Sequence, residues 1–243
     1  MKILFTLLLF ISADVCHSQR DFSNAPSASG DAVTVGQGTF QIESQFQIRV
    51  SGKAFEFDLP SNLLIAGIGN NFELRMTNGL TLIQSNFQAL PISLGCKTQL
   101  INRSELNTQI ALLFDTELPL FGNDNYVTSA ALALNHSFSP RNAIGVTIGT
   151  SHSSLLKRST EQDKTSSVNL TFVYGYTIHP KLTLFSNVSG SLERTTSSIE
   201  NPYTLDLGCL YMLSSSIELS LSSGTELTSS IVYHSVGFNF NIQ

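Results

Sequence analysis

The stretch Phe40-Gln-Ile-Glu-Ser-Gln-Phe-Gln-Ile-Arg-Val50 alternates between apolar and polar side chains, with Ser44 as the one interruption. Successive side chains of a β-strand point to opposite faces, so this pattern predicts a strand with one apolar and one polar face. A soluble β-sandwich places the apolar face of such a strand on a protein core. A membrane barrel places it against lipid, with the polar face toward the lumen. The rest of the chain decides between these classes.

The first residues have the parts of a secretory signal peptide. A basic start, Met1-Lys2, is followed by a short apolar run and then by smaller, more polar residues up to Ser18. The run is too short for a membrane-spanning helix, which needs about 20 apolar residues. We therefore expect residues 1–18 to be a cleaved signal peptide. The alternative, a lipoprotein anchored through Cys16, is disfavoured because Val15 stands where a small residue is expected.

The composition is poor in charge. Only 13% of the residues are charged, against roughly 25% in an ordinary soluble protein, while 42% are hydrophobic. No run of about 18 apolar residues follows the leader, so no helical membrane span is expected. Low charge is typical of a strand protein that faces lipid. The net charge of −5 and the absence of a basic patch argue against nucleic-acid binding.

Twelve strands are predicted from the alternation and the intervening turns. Residues 19–35 are small, polar and contain Pro and Gly, so we expect an irregular segment there and a single barrel domain over 36–243. The predicted strands are 38–50, 54–67, 72–78, 91–100, 106–117, 126–138, 142–151, 167–178, 182–192, 202–213, 217–224 and 230–242.

The connections between these strands are sorted by length. Five short turns follow every second strand, near residues 69–71, 102–104, 139–142, 179–181 and 214–216. Longer polar connections lie at the other end, at 79–90, 118–125, 153–166 and 193–201. Short periplasmic turns and long extracellular loops are typical of outer-membrane barrels. The sequence thus predicts an all-β, antiparallel, up-and-down transmembrane β-barrel of about twelve strands with both termini in the periplasm; a secreted soluble sandwich is the alternative.

Three motifs stand out in the first strands: Thr34-Val-Gly-Gln-Gly-Thr-Phe-Gln-Ile-Glu43, Asp58-Leu-Pro-Ser-Asn-Leu-Leu-Ile-Ala-Gly-Ile-Gly-Asn-Asn-Phe-Glu-Leu-Arg75 and Leu94-Gly-Cys-Lys97. Together they resemble a family of outer-membrane transporters of the phenol meta-cleavage-pathway (MetA-like) type. The resemblance covers about the first half of the mature chain. It implies an outer-membrane barrel with a transport role.

Strand parity assigns a set of polar side chains to the lumen. The principal lumen candidates are Glu43, Arg49, Glu73, Arg75 and Lys97, and further candidates are Gln41, Gln45, Gln47, Gln99, Asp115, Glu117, Asp206 and Glu218. Charges inside a narrow pore are expected to pair. They form either a polar constriction that filters solutes or a structural network that fills the lumen. Residues 20–35 could also fold inward as a plug.

Signatures of catalysis and metal binding are weak. No catalytic residue is assigned, and no His/Cys cluster has the spacing of metal ligands, so no metal or cofactor is expected. The Asn135-His136-Ser137 triplet is suggestive by composition only, and His234 is a second histidine that could belong to a lipid-modifying site. Cys96 and Cys209 fall on apolar strand faces and are expected to be small hydrophobes, not a disulfide.

The functional prediction is a channel or transporter in the bacterial outer membrane that passes small solutes passively. The expected partners are outer-membrane lipid, an unidentified small solute and, as a further possibility, an envelope protein. Two alternatives remain: a structural or accessory barrel with a filled lumen in an envelope complex, and a membrane-embedded lipid-modifying enzyme.

Overall fold

A computed structural model describes residues 32–52, 54–83, 86–103, 107–118, 125–155, 165–194, 199–229 and 231–242. Fourteen antiparallel strands form one sheet in this part of the chain. Their bounds are β1 Phe40–Ser51, β2 Ala54–Gly69, β3 Phe72–Ile83, β4 Asn86–Ala89, β5 Ile92–Arg103, β6 Thr108–Leu118, β7 Asn125–Ser139, β8 Asn142–Leu155, β9 Thr165–His179, β10 Leu182–Arg194, β11 Ile199–Glu200, β12 Tyr203–Met212, β13 Ile217–Glu226 and β14 Ile231–Ile242.

The sheet closes on itself because the first and last strands pair. β1 pairs with β14 along its length, from Phe40 opposite Ile242 to Val50 opposite Val232. β9 and β10 also pair, so each long strand has two long neighbours. The short strands β4 and β11 are extensions of β3 and β10 that lie outside this ring. The described residues therefore form a closed up-and-down barrel with twelve strands in its wall, as predicted.

The two faces of the wall differ as the alternation in β1 predicts. Phe46 and Ile48 of β1 are exposed on the outside of the barrel. Gln41, on the same strand but on its other face, is buried inside. β9 shows the same division, since Phe172 is 43% exposed and Thr171 beside it 7%. An outer surface of large exposed hydrophobic side chains suits hydrocarbon and not water. The apolar face of the wall therefore faces lipid.

All twelve predicted strands are present, and several extend beyond the predicted ends. The largest difference concerns residues 79–90, which were expected to be a loop. β3 continues to Ile83, and β4 pairs back onto it from Asn86 to Ala89. The prediction was wrong here because Leu80-Thr81-Leu82 continues the alternation that began at Phe72. The apolar–polar period of two does not stop where the turn residues begin.

The short connections lie at one end of the barrel, as predicted. Tight turns or bends are seen at 70–71, 140–141, 180–181 and 213–216. β5 continues to Arg103, and Ser104 of the fifth predicted turn lies outside the described residues. Both Phe40, at the start of β1, and Ile242, at the end of β14, belong to this end. We call it the short-turn end and the opposite one the long-loop end.

The predicted signal peptide, residues 1–18, and most of the predicted irregular segment lie outside the described residues. Residues 32–39, which are described, contain no regular secondary structure. No helix in the described ranges is long and apolar enough to cross a membrane.

A charge on the outer face should destabilise the barrel. Phe172→Arg places a guanidinium against lipid near the middle of β9, which is expected to cost about 2–4 kcal/mol of unfolding free energy. Asn169→Arg on the same strand is the control, because Asn169 faces the lumen. Urea unfolding in liposomes measures both variants. Equal losses would contradict the assignment of the faces.

Candidate functional site

A buried cluster of charges stands on the inner face of β3 and β5. Glu73 is fully buried, and its Oε1 atom lies 3.0 Å from Nζ of Lys97 and 3.4 Å from Nη1 of Arg75. Lys97 lies directly opposite Glu73 in the strand pair. Burying a charge is costly unless it is paired and hydrogen-bonded, and the three side chains meet that condition together. The sequence predicted these three residues as lumen charges.

A segment that precedes β1 folds into the barrel and meets this cluster. The backbone N–H of Val35 donates to Oε2 of Glu73 at 2.8 Å. Lys97 Nζ donates to the carbonyl oxygen of Val33. We call residues 32–36 the inner segment. Both oxygens of Glu73 are thereby used, one by the cations and one by the inner segment.

Small side chains on the adjoining strands β6 and β7 of the inner wall make room for this segment. Ala32 is fully buried and packs against Ala111, Leu113 and Ala133 of β6 and β7. Larger residues at the alanine positions would occupy the same space. The described part of the N-terminal region, from Ala32 onward, therefore folds into the lumen, as the plug hypothesis for residues 20–35 predicts.

Gly67 lets the backbone of the inner segment approach β2. A Cβ atom at this position would lie 2.1 Å from the carbonyl oxygen of Gly36, a contact that backbone atoms do not tolerate. Gly67 also exchanges hydrogen bonds with the same stretch, donating to the carbonyl of Thr39 at 2.9 Å and accepting from Gly38 at 3.0 Å. The glycine is needed for close approach of two backbones.

A second carboxylate extends the cluster toward β6. Asp115 lies opposite Gly95, which in turn lies opposite Arg75. A Cβ atom on Gly95 would be 1.9 Å from Oδ1 of Asp115, so the carboxylate leans over the glycine. This places the Asp115 charge within the electrostatic range of Arg75 and Lys97. The missing side chain at position 95 is what allows the approach.

Arg49 forms two ion pairs that are separate from the Glu73 cluster and lie closer to the long-loop end. Its Nη2 atom lies 3.1 Å from Oδ2 of Asp58, and its Nη1 atom 3.6 Å from Oε1 of Glu56. These two acids were not among the predicted lumen residues. The signal was available, since both alternate with Phe55 and Phe57 along β2. The register between β1 and β2 shifts by one residue between Gln45 and Gln47. On the far side of this shift, the even-numbered residues of β2 face the lumen in place of the odd-numbered ones.

Glu43, the fifth principal candidate, is not part of either cluster. It lies on the inner face of β1, where Gln41 Nε2 donates to its Oε1 atom at 2.7 Å. Asp206, which is 1% exposed, accepts from Asn187 Nδ2 at 2.9 Å on the inner face of β10 and β12. The remaining candidates share the inner-face parity of their strands: Gln45, Gln47, Gln99, Asp115, Glu117 and Glu218. Their role as a constriction stays a prediction.

The inner wall is uneven in charge. Ion pairs lie on β1, β2, β3 and β5, whereas the inward side chains of β9, β10 and β13 are mostly hydroxyls and amides. Several of these are hydrogen-bonded across strands, such as Thr177 to Thr183 and Ser151 to Ser167. The described ion pairs thus lie on one side of the lumen, whereas the other side is mostly hydroxyls and amides together with the carboxylates of Asp206 and Glu218.

Three of the histidines, His136, His152 and His234, lie on the outer face of their strands. His136 is in edge contact with Phe138 at 4.8 Å and hydrogen-bonded to Thr108 on β6. Its neighbours Asn135 and Ser137 point to the opposite side of β7 because adjacent strand residues alternate. The triplet therefore does not converge on one point.

The other chemical candidates are also placed by the strands. His234 lies on the outer face of β14, opposite Ile48. Cys96 and Cys209 are free and stand on β5 and β12, which are not neighbours. The two thiols are therefore not paired with each other in this structure. Among the described residues, no three His, Cys, Asp or Glu side chains are grouped closely enough to hold a metal ion.

Known proteins share both sequence features and fold with this chain. A family model described as "Putative MetA-pathway of phenol degradation" matches residues 23–242. No curated protein matches the chain. The family resemblance expected from the three motifs is thus confirmed over most of the chain and not only its first half.

Three solved structures have the same fold. The COG4313 outer membrane channel from Pseudomonas putida F1 has a TM-score of 0.68 at 8% identity, over 88% of this chain and 99% of that one. The NanC porin has a TM-score of 0.64 at 10% identity, over 82% and 98%. The KdgM porin in complex with disordered oligogalacturonate has a TM-score of 0.58 at 12% identity, over 84% and 99%. At these identities the likeness is one of fold.

Enlarging Gly67 should expel the inner segment. In a chain without Cys96 and Cys209, a cysteine placed at Thr34 is expected to react slowly with a water-soluble maleimide, because Thr34 is 8% exposed. Adding Gly67→Val should accelerate that reaction about tenfold or more, since opening the segment exposes the thiol. Gly69→Val is the matched control, because a Cβ atom there meets nothing within 4 Å. Equal rates in the two valine variants would refute the contact.

Replacing Lys97 alone should lower the unfolding free energy more than replacing Lys97 and Glu73 together. Lys97→Met leaves the Glu73 carboxylate short of a cation and is expected to lower the unfolding free energy by about 3 kcal/mol. The double variant with Glu73→Gln should recover part of that loss. Urea unfolding gives both values, with Lys181→Met in an exposed turn as the control. A double variant as unstable as the sum of its single variants would show that the two residues are not coupled.

Proposed function

The chain belongs to the family described as "Putative MetA-pathway of phenol degradation", and we propose that it is a passive channel for small solutes in the bacterial outer membrane. The observation that carries this proposal is a closed wall with an apolar outside and a polar, charged inside. Polar side chains on the inner face hydrate a lumen, and a hydrated lumen is a path for solutes.

The similar structures support the same function. One is described as an outer membrane channel and two as porins, and each is covered almost completely by this chain. The shared feature is the barrel, and the inner wall is this chain's own. Solute preference therefore has to come from the residues that line it.

The inner segment and the cluster of Glu73, Arg75 and Lys97 form the proposed constriction. Side chains fill barrels of about eight strands, while those of 16–18 leave open channels. A barrel of twelve strands has a lumen of intermediate width, and the inner segment is enough to narrow that lumen. Arg49 and Glu43 line other levels of the same path. Solutes would then be selected by size at the inner segment and by charge along the wall.

The orientation follows from the sorted connections. The short-turn end is proposed to face the periplasm, because outer-membrane barrels have short periplasmic turns and longer external loops. Both ends of the described chain would then be periplasmic, and so would the inner segment. This orientation agrees with export by a cleaved leader at residues 1–18.

Liposome swelling tests the channel directly. Vesicles that contain the purified full-length protein should swell in a monosaccharide faster than in a trisaccharide, because the inner segment narrows the lumen. Empty vesicles and vesicles with heat-denatured protein are the controls. Swelling rates equal to those of empty vesicles for every solute would refute passive conduction.

A barrel with a filled lumen, acting as a subunit of an envelope complex, is the second candidate. The inner segment favours it, since Ala32 and Thr34 occupy space inside the wall. Purification from membranes in mild detergent separates the two functions. A stoichiometric partner protein together with an absence of swelling would support the complex, and a solitary protein that conducts would exclude it.

A further inference from the structure

Three polar side chains stand in one row on the outer face of the barrel, near the long-loop end. Ser166 of β9 lies directly opposite His152 of β8 on one side and Arg194 of β10 on the other. Residues opposite each other on neighbouring strands share a face, and such strands are about 4.8 Å apart. All three side chains are exposed. We call these three residues the outer polar row.

The outer polar row lies at the edge of the apolar surface of the wall. Two residues closer to the middle of the wall, the same face carries Val168, which is 46% exposed, and Leu192 opposite it, which is 51% exposed. Leu170 and Phe172 continue this exposed apolar surface along β9. Apolar side chains on the outer face contact hydrocarbon, and polar groups at the edge of that band lie at the level of the lipid headgroups. A ligand that fits both parts is an amphipathic lipid.

The members of the outer polar row are hydrogen-bond donors. His152 Nδ1 and Ser166 Oγ lie 3.0 Å apart. If Nδ1 carries the imidazole proton, it donates to Ser166, and the hydroxyl proton remains available for another acceptor. If Nε2 carries the proton, the hydroxyl donates to Nδ1, and the Nε2–H group remains available. The pair therefore offers a donor in either tautomer, and the Arg194 guanidinium adds further N–H donors and a permanent positive charge.

The strands that carry this row bring no acid to the outer face. Over the described strands β7, β8, β9 and β10, the one acidic residue is Glu193, which lies opposite the buried Ser167 on the inner side. Its Oε1 atom accepts a hydrogen bond from Ser191 at 3.0 Å. Among the described residues, no ion pair involves Arg194. The local charge of the outer polar row is therefore positive and complementary to an anion.

We propose that the outer polar row binds the phosphate group of a lipid in the surrounding membrane. A phosphomonoester has three oxygens that are not esterified, and these can accept from Arg194 and from the pair of His152 and Ser166 together. Ser166 is the shortest of the three and stands in the middle, so a phosphate above it is within reach of both longer side chains. The proposed orientation places this end in the outer leaflet, where the phosphorylated lipid is lipid A. The choice of lipid thus rests on the proposed function in the outer membrane.

Native mass spectrometry of the full-length protein in detergent, with lipid A added, tests the site. One lipid A molecule is expected to stay bound, whereas phosphatidylcholine, whose phosphate is a diester beside a quaternary ammonium, is not. Arg194→Gln should weaken lipid A binding roughly tenfold or more, as expected for the loss of charged hydrogen bonds. His152→Phe should weaken it as well, because the variant keeps an aromatic ring but loses both ring nitrogens.

Arg141→Gln is the matched control, since Arg141 is an exposed cation in a tight turn at the short-turn end. It should leave lipid A binding unchanged, and heat-modifiable migration on gels shows that each variant is folded. Equal retention of the two lipids, or undiminished lipid A binding by Arg194→Gln, would overturn the proposal. Binding in detergent requires no flux, so lipid A binding with no liposome swelling would refute the channel alone, and swelling with no lipid A binding would refute this site alone.

Discussion

The closed ring of backbone hydrogen bonds is the constraint from which the other features of this molecule follow. Hydrocarbon offers no partner for a backbone N–H or C=O group, so a sheet in lipid must have no free edge. Pairing of β1 with β14 removes that edge. Once the ring is closed, alternation leaves each strand one face for lipid and one for the lumen. The polar residues of Phe40–Val50 therefore have to line an interior.

The interior has its own requirement, which is that buried charges find partners. Glu73 is satisfied from three sides, by Arg75, by Lys97 and by the backbone of the inner segment. The charge network and the inward fold of the N-terminal region are therefore one feature. The two interpretations of the lumen charges, a filter and a structural network, are both consistent with this arrangement. The same carboxylate accepts a hydrogen bond from the segment and pairs with both cations.

The alternation and the turns carried enough information for the fold. The low charge content assigned the apolar strand faces to lipid, because a sheet covered by water carries more charge. The short turns, which all fall at one end, indicated the up-and-down order of the strands. What could not be predicted depends on contacts between distant residues. Nothing in the local sequence indicates that the backbone of Gly36 packs against Gly67. Nothing there indicates that the Asp115 carboxylate packs against Gly95. Register between strands, which sets Ser166 beside His152, is likewise absent from any local pattern.

The central claim is that a water-filled path runs through the barrel and is narrowed by the inner segment. Single-channel conductance in planar bilayers tests it most directly, with the full-length protein compared to a chain that lacks residues 32–36. Deleting the segment removes the groups that occupy the lumen beside Glu73 and Lys97. The account predicts a small conductance for the full-length protein and a clearly larger one for the deletion. Equal conductances, or none in either protein, would contradict it.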